Sequence, residues 1–352
     1  MSRSPRRLVI GMLNTAGQAR AWANAVRHNT PATAESWGIK RPDEAAIIFA
    51  VDRTYPLVDG AAAQAWKDLL QAPTKPTHLI IESGKPIVIR GTFRRMLFQA
   101  LTARRHGIRP VLLFHGSDIR MPSTHAATHP GSPFHESLDG LTAKLEVQTQ
   151  TMRRWLRVWP FPIFISTLDL KRFVPRGRWL PIVADASWFT PMPAISIERA
   201  RPHVLHLPSR RALFQSDRVD QICQALHEKG VIEYRSITGV TPAEVRAHVE
   251  WSDIVIDKIG LGVTGVMGAE VMASGRLLIG DIDQIVRDEL DEIPLVQSSI
   301  ATLEPVIRAL VADRTTWSAR AAAGQTFARK YHDGRYSAAV LAKWMGVPLN
   351  GE

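Results

Sequence analysis

Between residues 260 and 270 the chain sets four glycines, Gly260, Gly262, Gly265 and Gly268, ahead of one glutamate, Glu270. Glycine lets a backbone turn tightly and lets a ligand approach it, and the amides left open at a helix start attract an anion. A helix is expected at 269–273, with Glu270 in its first turn, where the dipole favours a carboxylate. Glycines, amides and carboxylate together suit a polar ligand carrying both phosphate and hydroxyl groups. Asp257 closes the β-branched run 254–256, where it either touches that ligand or caps the turn. A second chemically rich stretch, His115-Gly116-Ser117-Asp118-Ile119-Arg120, follows the apolar run 110–114. Near the start, Asn14-Thr15-Ala16-Gly17-Gln18 forms a small-residue turn in which Gly17 is either a close ligand contact or a tight turn.

These stretches need elements to position them. Strands are expected at 7–13, 45–51, 77–81, 110–114, 161–166, 203–207, 231–235, 254–256 and 277–279. Helices are expected at 19–28, 92–105, 141–159, 217–229, 242–249, 298–311, 315–329 and 336–345, with Thr241 capping the one that opens on Pro242. Strand and helix in alternation imply parallel α/β sheets. Ligands of such sheets bind beyond the carboxyl ends of the strands, where His115, Asp118, Asp257 and the glycine turn fall. Residues 121–137 read as a mobile polar loop, and the spacing of His125, His129 and His135 within it argues against a metal site. A proline-rich connection over 185–202 puts a domain boundary near 195. That gives a first domain at 1–195, a second at 196–330, and a helix at 331–352 packing back toward the first.

A chain of 352 residues exceeds one ordinary core, which agrees with two domains. Lys plus Arg less Asp plus Glu is 44 − 33 = +11, a surface that attracts anions. No zinc finger, basic zipper or RNA-binding aromatic signature accompanies the charge, so nucleic acid is not the expected partner. The single cysteine, Cys223, excludes an internal disulfide and fits a reducing compartment. No apolar run approaches the ~20 residues that span a bilayer, and the run 8–13 is too short for a signal peptide. A cytoplasmic location is therefore expected. The helix 92–105 mixes Phe93, Met96, Leu97, Phe98 and Leu101 with Arg94, Arg95, Arg104 and Arg105. It is either a packed helix with a solvated edge or one that touches the cytoplasmic face of an anionic membrane.

Five runs, in this order and spacing, carry a family likeness: 114–120, Ser166-Thr167-Leu168-Asp169-Leu170, Trp179-Leu180-Pro181, His206-Leu207-Pro208-Ser209-Arg210-Arg211, and 253–275. Over nearly its whole length the chain resembles two-domain glycosyltransferases of the GT-B type, especially the large retaining, family 4-like group that uses nucleotide sugars. The resemblance implies two Rossmann-like domains facing across a cleft, with the donor mainly on the C-terminal one and the acceptor mainly on the N-terminal one. It implies hexosyl transfer with no metal and no cofactor beyond the nucleotide-diphosphate sugar, which is the donor substrate. Glu270 matches the second glutamate of the family's Glu-x7-Glu motif, which contacts the ribose. His115 matches the sugar side of the cleft, and Arg211 a basic position near the donor phosphates. The acceptor would be a glycan, a lipid-linked sugar or a small molecule, and a homodimer remains open.

Sugar transfer builds positive charge on the ring and negative charge on the departing diphosphate, which needs fixed cations and amides. Arg210 and Arg211 supply the cations, and Gly265 with its neighbours the amides. Asp118 either accepts the acceptor's proton or pairs with Arg120. Two positions depart from the family pattern. Gly262 stands where the first glutamate would fall, and Phe214-Gln215 where the family places lysine then glycine. They motivate one other reading, a noncatalytic partner of a transferase; a nucleotide-sugar epimerase on the same scaffold is a further one, though it needs paired acid/base carboxylates and the sequence offers no convincing set.

Overall fold

Leu8, Val9 and Ile10, each no more than 1% exposed, form the middle of a seven-stranded sheet. The structure is a computed structural model that describes residues 5–40, 49–56, 61–71, 75–85, 93–290 and 292–351. The strands of this first sheet are β1 Arg7–Met12, β2 Thr33–Lys40, β3 Arg53–Pro56, β4 His78–Glu82, β5 Arg109–Phe114, β6 Ile163–Ile165 and β7 Arg178–Trp179. Their order is β3-β2-β1-β4-β5-β6-β7 with every pair parallel. A second, five-stranded parallel sheet holds β8 His203–His206, β9 Glu233–Ser236, β10 Ile254–Ile256, β11 Leu277–Gly280 and β12 Val296–Gln297, in the order β12-β11-β10-β8-β9.

Each sheet reverses its winding at one place, between β1 and β4 in the first and between β8 and β10 in the second. Such switch points open a crevice at the carboxyl ends of the strands, where ligands of doubly wound sheets bind. The buried runs Leu79–Ile81, Val111–Phe114 and Ile254–Ile256 explain why both sheets lie covered on two faces.

The chain forms two compact units: 1–120 with 147–183 and 334–352, and 121–146 with 184–333. The last helix, Arg335–Met345, places Leu341 and Met345 in the first unit's core beside Leu8, Ile10, Trp22 and Val26. Gly334, with φ +95°, makes the tight entry that lets this helix lie against Ala25 and Val183. The second core gathers Val204, Val219, Cys223, Ile254, Ile256, Leu303, Ile307 and Trp317.

Several expected elements shift. Of the expected strand 45–51, residues 45–48 lie outside the described residues and 49–51 are irregular; the strand beside β1 is Thr33–Lys40 instead. Thr92 also lies outside the described residues, and its helix runs Phe93–Arg105. The stretch expected as a loop after Arg120 contains a helix, Pro122–Thr128, started by proline at its first position. No helix of the described residues is long and apolar enough to cross a membrane.

Candidate functional site

At the second sheet's switch point, Asp257 and Lys258 follow β10, and the glycine turn leads into the helix Val266–Ala273. This helix begins three residues earlier than expected. Glu270 therefore sits in its second turn, not its first, and the helix-start amides do not serve its carboxyl. Burial, then repulsion from Asp185, pushes the Glu270 carboxyl up to about 8, with Asp257 adding to the rise and a hydrogen bond from Trp188 opposing it. At neutral pH the group carries a proton, so it can both donate to and accept from a hydroxyl.

Gly265 caps the helix, and its amide donates to Asp257 Oδ2 at 3.4 Å. A side chain at Gly265 would run into the Lys258 ammonium, which lies over the helix start. The same ammonium stands 5.7 Å from the centre of the Phe214 ring. Lys258 thus brings a cation to the end of the helix that already favours anions. Sequence reading overlooked it, because only the folded path of β10 carries it over the glycine turn. Arg210 is exposed on the loop after β8. Arg211, half-buried beside it, forks onto Asp217 and onto Asp220 Oδ2 at 2.6 Å, so two carboxylates balance its charge.

Gly260 and Gly262 are approached by the protein itself. A side chain at Gly260 would strike the Gly131 carbonyl and the Gln215 amide; one at Gly262 would meet Asp283 Cβ at 2.9 Å and His129 Cε1 at 3.4 Å. Buried His129 holds Asp281 Oδ2 at 2.6 Å, and that oxygen also accepts the Gly260 amide at 3.0 Å. His125 joins Ser132 Oγ at 2.7 Å and the Leu261 carbonyl at 3.3 Å. The 121–137 stretch is thus tied onto the glycine turn by buried polar bonds. Among the described residues no three side chains of His, Cys, Asp or Glu are grouped to hold a metal ion.

The first unit has its own polar cluster at the β1/β4 switch. Fully buried Glu82, the last residue of β4, accepts the amides of Leu13 and Asn14 at 2.9 and 3.0 Å with Oε2, and meets His115 Nε2 at 3.1 Å with Oε1. The His115 ring stacks on Trp22 with centroids 5.8 Å apart. Burial alone would lower the His115 pKa, but the hydrogen bond and charge of Glu82, with Asp118 behind, outweigh it and raise it. Burial likewise works to raise Glu82, yet His115 and the two amides bring it below the usual range. Asp118 is buried and accepts the amides of His115 at 2.9 Å and Gly116 at 2.8 Å, so its carboxylate shapes the loop that presents the imidazole. Arg120 does not pair with Asp118; its Nε and Nη2 reach Asp169 Oδ2 at 3.0 and 2.5 Å. Asp169 Oδ1 and the Thr167 hydroxyl are buried without a hydrogen-bond partner, leaving acceptor capacity at this corner. Gly17, with φ +75°, starts the helix Gln18–Asn29, and a side chain there would meet Phe49 Cδ1 at 2.9 Å.

No protein-family model matches the chain, and no curated protein matches its sequence. Solved structures do match. Sucrose-phosphate synthase from Thermosynechococcus elongatus is similar with a TM-score of 0.60 at 10% identity, over 97% of this chain and 98% of that one. Anabaena HepE in complex with UDP-glucose gives a TM-score of 0.53 at 14% identity, over 97% and 99%. A UDP-N-acetylglucosamine 2-epimerase gives 0.53 at 12%, over 98% and 96%. The chain has the GT-B fold.

Both departures from the GT-B sequence pattern have a spatial counterpart. Where the GT-B family places lysine, the Phe214 ring lies under the Lys258 ammonium. Where it places glycine, Gln215 has a left-handed backbone, φ +51°, and its Nε2 donates to the Gly131 and Ile259 carbonyls at 2.9 and 3.3 Å. Left-handed backbone costs a residue with a side chain about 1–2 kcal/mol, which these two bonds offset. Where the first glutamate of the GT-B motif would stand, Asp283 and His129 fill the space.

Proposed function

We propose that the protein is a glycosyltransferase that moves a hexose from a nucleoside-diphosphate donor to an acceptor hydroxyl, with retention and without a metal ion. The observation that carries this reading is the Lys258 ammonium over the start of the Val266–Ala273 helix, at the switch point and one turn ahead of Glu270. A diphosphate placed there meets a cation and open amides together, and the ribose hydroxyls meet a carboxyl able to donate and accept. HepE, one of the structures of this fold, is seen with UDP-glucose. Arg210 joins Lys258 at the phosphates, while Arg211, held by Asp217 and Asp220, orders the loop from behind.

In the transfer, the bond from the sugar's anomeric carbon to the phosphate oxygen breaks and its electron pair leaves with the diphosphate. The acceptor oxygen bonds to the same face of that carbon, and its proton passes to the departing phosphate oxygen. Lys258, Arg210 and the helix amides stabilise the negative charge as it forms. On the first unit Glu82 holds the His115 imidazole, and Asp118 is a positioning residue for it.

The epimerase likeness supports a second reading, in which the donor sugar is inverted at one carbon and no acceptor is used. Incubation with UDP-, GDP-, ADP- and TDP-sugars separates the two. The transferase reading expects free nucleoside diphosphate with an unaltered sugar, slowly with water and faster with an acceptor. An altered sugar still joined to nucleotide would establish the epimerase. No turnover and no binding of any donor would remove both readings and leave a noncatalytic partner.

A further inference from the structure

Four of the exposed large apolar side chains of the described residues fall on two helical stretches of the first unit. Phe98 is 62% and Leu101 38% exposed on the helix Phe93–Arg105; Val147 is 67% and Val158 58% exposed on and just after the helix Leu141–Leu156. The stretches pack together through their other faces. Phe93 stacks on Trp155 with centroids 5.1 Å apart and meets the edge of Trp159 at 6.1 Å, and Met96 and Met152 both close around Gly84. The apolar side chains named first are therefore surplus to the internal packing.

Their surroundings are mainly basic. Residues 93–105 and 141–158 hold Lys144 and seven arginines, at 94, 95, 104, 105, 153, 154 and 157, all exposed, against one carboxylate, Glu146, which accepts the Ser123 amide and hydroxyl. On the first helix Arg94, Phe98, Leu101 and Arg105 follow at steps of four, three and four, which places them in one stripe opposite buried Phe93, Met96, Ala100 and Ala103. Two apolar side chains lie mid-stripe with a guanidinium at each end. Arginine stems lie along apolar surface while their heads stay wet, so such a stripe matches an interface that is apolar below and anionic above.

We infer that the arginine-flanked stripe Arg94-Phe98-Leu101-Arg105, with the neighbouring Arg153, Arg154 and Arg157, docks on an anionic lipid surface. The occupant is a bilayer carrying acidic headgroups: phosphates meet the guanidinium groups while Phe98 and Leu101 enter the acyl boundary. Phosphates alone would satisfy the arginines of a nucleic-acid site but would leave Phe98 and Leu101 unmatched. This inference does not depend on the sugar-transfer reading.

The test is co-sedimentation of the full chain with vesicles of phosphatidylcholine alone and of phosphatidylcholine mixed with phosphatidylglycerol. Binding is expected with the acidic mixture only, and raised salt should weaken it. Arg94→Gln and Arg105→Gln should each lower the partition about fivefold. Phe98→Ser with Leu101→Ser should lower it at least about tenfold, because the buried apolar area is lost. All four positions are on the surface, so unchanged melting temperatures will show that the variants fold. Equal binding to both vesicle types, or none to the acidic ones, would overturn the inference. So would vesicle binding indifferent to the Phe98–Leu101 change, and if an oligonucleotide then binds through the arginines alone, the face belongs to nucleic acid.

Discussion

Glu82 is a fully buried carboxylate with three partners, so its removal strands two amides and an imidazole. Its pKa is lowered, so its contribution holds above the ordinary 4.5 and is lost as pH falls through the lower folded value. The His115 pKa is raised, so that contribution is complete below the ordinary 6.5 and is lost as pH rises through the higher folded value. The pair therefore stabilises the unit most between those two ordinary values. Glu82→Gln strands a buried imidazolium, at a cost of roughly 3–5 kcal/mol in that window. Thermal melts across pH should show the deficit shrinking once His115 is neutral; the same deficit at every pH would contradict the pairing. Sequence reading singled out His115 and Asp118 from their strand-end position but stopped the strand at 81 and gave Glu82 no role. Its partners stand 33 and 68–69 residues away, and only the β1–β4–β5 order brings them to it.

At the scale of elements, the glycine turn was legible in its strand, Ile254–Ile256, and in its helix, but not in what approaches it. Three β-branched residues between two aspartates announce a buried strand. That Gly260 and Gly262 face Gly131 and His129, more than a hundred residues earlier in the chain, together with Gln215 and Asp283, no local pattern could show. β2 was missed for a related reason. Thr33, Glu35, Ser36 and Gly38 give it a polar reading, and it becomes a strand by pairing with β1 while Asp52 accepts the Ser36 amide and hydroxyl, both at 2.8 Å. The filled space at Gly262 carries a prediction. Gly262→Glu, which installs the glutamate of the motif the sequence resembles, should destabilise the protein by roughly 2–4 kcal/mol, since it adds left-handed strain to a 2.9 Å clash with Asp283. It should also fail to raise donor turnover. A melting temperature equal to the parent's, with turnover increased, would show that the turn has room for the glutamate.

At the scale of the molecule, the alternation of strands and helices was enough to read two α/β sheets, with a last helix, 336–345, after the second. The sheet orders were not written in the sequence, because periodicity says that a strand is buried and not which strand lies beside it. Those orders are what make the site: they bring Asp257 and Lys258 next to the loop after β8, and Leu13 and Asn14 next to Glu82. The central claim is that a nucleoside-diphosphate sugar is gripped at the β8/β10 switch by Lys258 and Glu270. Calorimetric titration with UDP-glucose of the intact chain, Lys258→Ala and Glu270→Ala tests it most directly. The account predicts binding by the intact chain and affinity at least about tenfold weaker in each variant, through loss of a charge-assisted bond at Lys258 and of a hydrogen-bonding carboxyl at Glu270. Binding of undiminished affinity in both variants would contradict it.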